Sequence, residues 1–319
     1  MHASSPSPSG ASRAVFVVGA GRSGTSAIVR ALSALGVELG DRLKSPTAKN
    51  PTGFFEDVDL LRVAKQARAA LGLRTESVAL VDEERFAQAA LDPLVKEAVA
   101  IIEGRFARYP LWGFKYAQTL RFLPFWEQVF ETLDLDVRFV VAARNPLSVA
   151  RSRAKLDPIR GVQEKSDLEW LVNVVPYFRR LAHRPFVVTD YDLLMAEPAA
   201  QLERLAERLH IARDAGVRAG VDAYLQEFLA QDMRHTRFSD ADLEGDPRLN
   251  PLVRDGYRWL YRLATDAIAP DDRELWRDWE RLEAATGAMA PALRLVDRLE
   301  AELRSRRGSL WQRIHQRLR

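Results

Sequence analysis

The residues best placed to do chemistry lie in one short stretch, AVFVVGAGRSGTSAIVRALSALG, from Ala14 to Gly36. There an apolar run enters a turn of small residues, carrying a single arginine, and leaves as an amphipathic run. A strand, tight turn and helix in this order make an anion site. Gly19, Gly21 and Gly24 let the backbone turn sharply and come close to a phosphate, and the amides of Ser23 to Ser26 open a helix whose positive end favours negative charge. Arg22 adds a full cation, and the hydroxyls of Ser23, Thr25 and Ser26 add donors.

Several anion-binding patterns overlap at this turn. GAGRSG satisfies the dinucleotide pattern GxGxxG, but that fold wants a second buried strand ending in an acidic residue about 20 positions on. The chain offers only GVELGD, with Glu38 or Asp41 in a short, glycine-flanked segment. The triphosphate pattern GxxxxGK[ST] would place a lysine where Thr25 stands. What remains is a loop in the order Arg22, Ser23, Gly24, Thr25, Ser26. A second stretch, RFVVAARNPLSVARSRAK, reads as a strand from Arg138 that closes on Arg144, followed by Asn145-Pro146 at the start of a helix. Ser152 lies eight residues beyond Arg144, about two helical turns.

RSGTS resembles the 5′-phosphosulfate loop of sulfotransferases that use 3′-phosphoadenosine 5′-phosphosulfate (PAPS), in which lysine or arginine is followed by SGT and a further hydroxyl residue. Arg144 with Ser152 is similar to that family's 3′-phosphate site, an arginine closing a strand and a serine eight residues later. Three further segments resemble family landmarks: NPTGFFED (50–57), TDYDLLMAEPAAQLERLAERL (189–209) and RHTRF (234–238). The resemblance implies an α/β, three-layer P-loop-containing nucleoside-phosphate-binding fold, with a central parallel sheet flanked by helices and a helical C-terminal part. PAPS is then the sulfuryl donor and PAP the product. Gly21, Arg22, Ser23, Gly24, Thr25 and Ser26 hold the 5′-phosphosulfate, and Arg144 and Ser152 hold the 3′-phosphate.

By the same resemblance Lys115, closing the strand LWGFK, matches a lysine near the transferred group, and with Arg22 it would neutralise charge on the leaving phosphate oxygen. The chain departs from the pattern just after it, with Tyr116, Ala117 and Gln118 where bacterial members commonly carry aspartate, proline and arginine. Members acting on small phenols or steroids use a histidine two residues after this lysine, where the chain has Ala117. Other branches use a glutamate after the phosphate loop, which points to Glu56 as general base, with Asp57, Asp59 and His235 in reserve. The alternative role for Glu56 and Asp57 is to favour the start of a helix over Asp57 to Leu71. A carbohydrate or glycoconjugate hydroxyl is the expected acceptor, with a lipid or secondary metabolite next. Two other classes remain open: a P-loop kinase, and a catalytically silent PAP-binding protein that would keep Arg22, Arg144 and Ser152 without needing Glu56 and Lys115.

The elements that must position these residues follow from periodicity. Apolar runs near 14–19, 111–115, 137–143 and 185–190 read as strands with helices between them, which argues for a parallel sheet with ligands at its carboxyl edge. Gly19, Lys115 and Arg144 all end strands and can converge there. From about 191 the pattern is helical, including 251–268, 271–286 and 289–305. With 319 residues and 47% apolar content the chain can bury one substantial core, and with no cysteine it has no disulfide framework. Six of the seven tryptophans, Trp112, Trp126, Trp170, Trp259, Trp276 and Trp279, sit in strand or helix patterns and read as core or half-buried.

Residues 1–13, rich in serine and proline, read as a disordered tail before a catalytic domain over 14–288. No run approaches the roughly 18 apolar residues of a membrane span, so a soluble, cytoplasmic, bacterial-type enzyme is expected. No His/Cys/Asp cluster has metal-ligand spacing, and the basic stretch is too short for nucleic acid. Charge is uneven. Arg304 to Arg319 holds six arginines and no acid, whereas the remainder has 41 basic and 44 acidic residues. Residues 289–319 therefore read as a basic amphipathic helix, with Leu295, Leu299, Leu303, Trp311, Ile314 and Leu318 near one face and an interruption near Gly308. Such a helix either packs on its own domain and ends in a solvated basic stretch, or meets a membrane surface or a partner.

Overall fold

A computed structural model describes residues 12–46, 53–230 and 238–317, with side chains described up to Arg306. In chain order its strands and helices are β1 (Arg13–Gly19), α1 (Thr25–Ala34), α2 (Val58–Ala70), α3 (Asp92–Arg105), β2 (Leu111–Lys115), α4 (Leu123–Leu133), β3 (Asp136–Ala143), α5 (Pro146–Ala154), α6 (Gln163–Phe178) and β4 (Phe186–Asp190). Helices alone follow: α7 (Tyr191–Ala196), α8 (Pro198–Arg208), α9 (Ala215–Ala230), α10 (Asp240–Gly245), α11 (Pro251–Ala264), α12 (Arg273–Ala288) and α13 (Ala290–Arg317).

The four strands form one parallel sheet in the order β2-β1-β3-β4. Successive side chains of a strand point to opposite faces, so a strand apolar throughout is one covered on both. In β1, Ala14, Phe16 and Val18 enter one core, and Val15 and Val17 the other. The first core is aromatic, with Phe16 at its centre in edge-on contact with Trp112, Phe114, Trp126 and Phe130. The second is aliphatic, where Val140 and Val187 meet Ile28, Leu32, Leu202 and Leu205 of α1 and α8. The expected three-layer α/β arrangement is what these two cores hold together. Trp112, Trp126, Trp170 and Trp279 are buried, and Trp259 and Trp276 pack partly buried against the same core.

Element ends differ from expectation in ways that local chemistry explains. Arg13, expected in the tail, starts β1, because its backbone pairs with the sheet and its guanidinium meets Asp136. The helix expected over 251–268 stops at Ala264, where Asp266 turns into the left-handed region (φ 54°) and receives Arg204 and Arg208. The helix expected from 271 begins at Arg273, since the Asp272 side chain accepts from the amides of Glu274 and Leu275 and caps it. The last helix, expected over 289–319 with an interruption near Gly308, runs from Ala290 to Arg317 without one. Among the described residues no helix is long and apolar enough to cross a membrane.

The strand order changes direction between β1 and β3. The chain leaves β1 toward β2 on one side, crosses to β3 on the other, and continues outward to β4. The carboxyl ends of β1 and β3 therefore flank the switch point at which α/β sheets bind ligands.

Candidate active site

The loop after β1 is shaped by two glycines that no other residue could replace without strain. Gly19 (φ 136°) lies where a Cβ would meet the Ala142 carbonyl oxygen at 2.7 Å, and Gly24 (φ 85°) where it would meet the Tyr191 ring at 2.3 Å. Gly24 is also the N-cap of α1, and no side chain caps this end. The amides of Gly24, Thr25 and Ser26 are thus left without intrahelical acceptors, as at any helix start. Arg22 also lies in the left-handed region (φ 76°), unusual for a residue with a side chain and a mark of a strained turn.

Two arginines of the second motif brace this turn from below. Arg144, just beyond β3, donates through Nη1 to the Arg22 carbonyl at 3.3 Å, and Arg153 on α5 donates through Nη2 to the Gly21 carbonyl at 3.1 Å. Arg22 in turn donates through Nε and Nη2 to Ser152 Oγ at 3.1 and 3.0 Å. The two motifs read separately in the sequence are thereby in direct contact. Loss of surrounding water and then the charge of Arg144 hold the Arg22 guanidinium below its ordinary value. An anion between these cations would relieve the repulsion. Tyr191 stacks under Arg144, with the guanidinium carbon 4.2 Å from the ring centre.

Lys115 approaches the same loop from β2. It is buried (4% exposed), and its ammonium donates to Ser26 Oγ at 3.3 Å, the Phe54 carbonyl at 2.8 Å and Glu56 Oε1 at 2.9 Å. Desolvation lowers its pKa, and the facing Glu56 carboxylate opposes that shift. The other carboxylate oxygen of Glu56 lies 3.6 Å from Lys44 Nζ, which sits 3.7 Å over the Phe54 ring. Glu56 therefore faces two cations, and the aromatic beside it carries one of them.

A local fold-back aims Glu56 this way. Leu43 and Asp57 form an antiparallel bridge, with Lys44 N donating to the Glu56 carbonyl and Val58 N to the Arg42 carbonyl. The neighbouring carboxylates have structural tasks. Asp57 caps α2 through the amides of Asp59 and Leu60 and is held on both oxygens by Arg105, while Asp59 pairs with Arg42 and Arg105. Helix capping thus belongs to Asp57, and of the candidate bases among the described residues only Glu56 meets Lys115. His235 lies outside the described residues, as do Asn50 to Thr52 of the NPTGFFED segment.

Sequence reasoning missed Arg153 and Arg105. Arg153 is buried and lies between the Gly21 carbonyl and Glu169, a carboxylate that Arg160 also binds through both its oxygens. Its signal was present in the spacing, since Arg153 directly follows Ser152, but nothing local pairs it with Glu169. Among the described residues no group of three or more His, Cys, Asp or Glu side chains is placed to hold a metal ion.

The dinucleotide reading loses its acidic residue here. Glu38 bridges to Trp112 of β2, on the far side of that strand from β1, and Asp41 is bound to Arg105.

No family model and no curated protein matches the chain. Among solved structures it is similar to the sulfotransferase STF9 from Mycobacterium avium, with 14% identity over 81% of this chain and 77% of that one and a TM-score of 0.44. It is also similar to the sulfotransferase domain of the Synechococcus PCC 7002 olefin synthase, with 18% identity over 84% of this chain and 99% of that one and a TM-score of 0.40. A third likeness is to the sulfotransferase domain from the curacin biosynthetic pathway, with 16% identity over 81% and 98% and a TM-score of 0.39. Likenesses of this extent assign no activity to the chain.

Proposed function

We propose that the chain is a PAPS-dependent sulfotransferase that moves a sulfuryl group to a hydroxyl of a carbohydrate or glycoconjugate. The observation that carries this reading is the meeting of the two motifs: Arg22 of RSGTS bonds Ser152, and Arg144 bonds the Arg22 carbonyl, across more than 120 residues of sequence. The donors left over suit a nucleotide with two separate phosphate groups. Ser23 Oγ and Arg144 Nε are buried without hydrogen-bond partners among the described residues, and no side chain caps the start of α1.

When bound, PAPS supplies a sulfuryl group on a phosphate that leaves readily. The loop from Gly21 to Ser26 holds the 5′ end, and Arg144 with Ser152 holds the 3′-phosphate. Glu56 takes the proton of the acceptor hydroxyl as its oxygen bonds sulfur, and Lys115 with Arg22 neutralises the phosphate oxygen as the sulfur–oxygen bond breaks. The Lys115–Glu56 pair at 2.9 Å couples these tasks. A carboxylate that gains a proton loses its hold on the ammonium, which then turns to the leaving oxygen. No metal is needed in this scheme because the required charges are side chains.

Ala117, in place of the histidine that serves small phenolic acceptors, supports the choice of a sugar hydroxyl. The test is transfer of radiolabel from PAPS to glycan, glycoconjugate, lipid and phenol acceptors by the wild-type protein and by Glu56→Gln. Label on a glycan or glycoconjugate, lost in the variant, is the expected result. Label on a phenol alone, or an unimpaired variant, would overturn the acceptor or the base assignment respectively.

A further inference from the structure

The last helix presents an apolar row with nothing described over it. Leu295, Leu299 and Leu303 of α13, spaced four residues apart and so aligned along one side of a helix, are 48%, 48% and 59% exposed. The opposite side of the same helix is docked. Leu293 is buried against Val78 and Val172, the Asp297 carboxylate accepts from the amides of Val78 and Ala79, and Glu300 and Arg304 pair with Lys165 and Glu76. These contacts fix the rotation of α13, so the leucine row faces outward by construction rather than by fraying.

Charge selects what could cover it. Arg294 and Arg298, each one position before a leucine of the row, are exposed, and the sixteen residues from Arg304 to Arg319 hold six arginines and no acid. A second copy would bring the same positive charge to the interface. An anionic lipid surface neutralises it, while guanidiniums flanking the row reach headgroup phosphates and the leucines enter the acyl boundary. At 28 residues, α13 offers about 42 Å of helix to lie along such a surface.

We propose that α13 docks the protein on an anionic lipid bilayer, with Leu295, Leu299 and Leu303 as the inserted row and Arg294 and Arg298 as the headgroup contacts. This inference does not depend on the sulfotransferase reading. It is tested by co-sedimentation of the full chain with vesicles of phosphatidylcholine containing phosphatidylglycerol and with vesicles of phosphatidylcholine alone. Binding is expected to the first only and to weaken with added salt. Replacing the row by Leu295→Gln, Leu299→Gln and Leu303→Gln together should weaken it at least about tenfold, with an unchanged melting temperature because the leucines are exposed. Arg294→Gln with Arg298→Gln, which leaves the row intact, should weaken binding roughly fivefold per arginine.

Absence of binding to the anionic vesicles, or equal binding by wild type and the leucine variant, would overturn the proposal. So would light scattering that shows a dimer dissolved by the leucine replacements in a protein that ignores lipid, because the row would then belong to a second copy.

Discussion

The two ends of the candidate site are built from the same materials and left in opposite states. At the arginine end, Arg22 and Arg144 crowd one another, Ser23 Oγ and Arg144 Nε lack partners among the described residues, and no side chain caps the first amides of α1. At the lysine end every charge is already answered: Lys115 bonds Ser26, Phe54 and Glu56, and Glu56 is shared with Lys44. Fixed, unsatisfied donors are what a binding site for a standing anion requires. A closed pair that can be opened by moving one proton is what a chemical step requires. The difference separates holding from reacting.

Substitutions should divide along that line. Glu56→Gln removes the proton acceptor but keeps a group that can bond Lys115, so turnover should fall by about 10²–10⁴-fold with PAP affinity nearly unchanged. Rapid-quench assays beside calorimetry would read this, and a variant that loses PAP affinity instead would place Glu56 at the holding end. Arg144→Ala removes a charged donor from the arginine end. PAP affinity should drop about 10–100-fold, the equivalent of one charge-assisted hydrogen bond, as measured by titration.

The scaffold under the arginine end carries a pH signature. Asp190 closes β4, caps α7 through the amides of Asp192 and Leu193, and accepts from Tyr257, so it positions Tyr191 beneath Gly24 and Arg144. Desolvation, and then the neighbouring Asp192 charge, push its pKa up to about 7. A carboxyl raised in the folded state binds more protons there than in the unfolded chain, so stability should fall as pH rises from about 4 through 7. Asp190→Asn, which can still cap the helix, should remove roughly 1–3 kcal/mol of that fall. Urea titrations across this range would measure it, with Asp167 and Glu283, each pushed up to about 7 chiefly by desolvation, adding slope of their own. An unchanged slope in the variant would mean that Asp190 is ionised in the fold. The smallest effect is expected for Ser152→Ala, which removes a neutral hydroxyl that accepts two bonds from Arg22 and should weaken PAP about three- to tenfold.

Much of this arrangement is legible in the sequence, for a physical reason. β1, β2, β3 and β4 are short apolar runs covered on both faces, and each ends at a residue whose type announces a change: Gly19, Lys115, Arg144 just past β3, Asp190. Residues at strand ends in a parallel sheet converge, so the approach of Gly19, Lys115 and Arg144 to one edge is legible, whereas the direct bonds from Arg22 to Ser152 are not. Nor is the identity of the carboxylate beside Lys115. Glu56, Asp57 and Asp59 are neighbours in sequence, and only the Leu43–Asp57 bridge and the Arg105 clamp decide which of them faces Lys115. Arg105 reaches Asp57 over 48 residues, and Arg153 braces Gly21 over 132. Pairings at that distance are set by packing rather than by local pattern.

The central claim is that the carboxyl edge of β1 and β3 holds a nucleotide with a 5′-phosphate and a 3′-phosphate. Calorimetric titration of the purified protein with PAP, ATP and NAD, with Arg144→Ala as control, tests it most directly. Micromolar or tighter binding of PAP is expected, weakened about 10–100-fold in the variant, with weaker binding of the other two. Binding of ATP or NAD without PAP would contradict it and assign GAGRSG to another nucleotide.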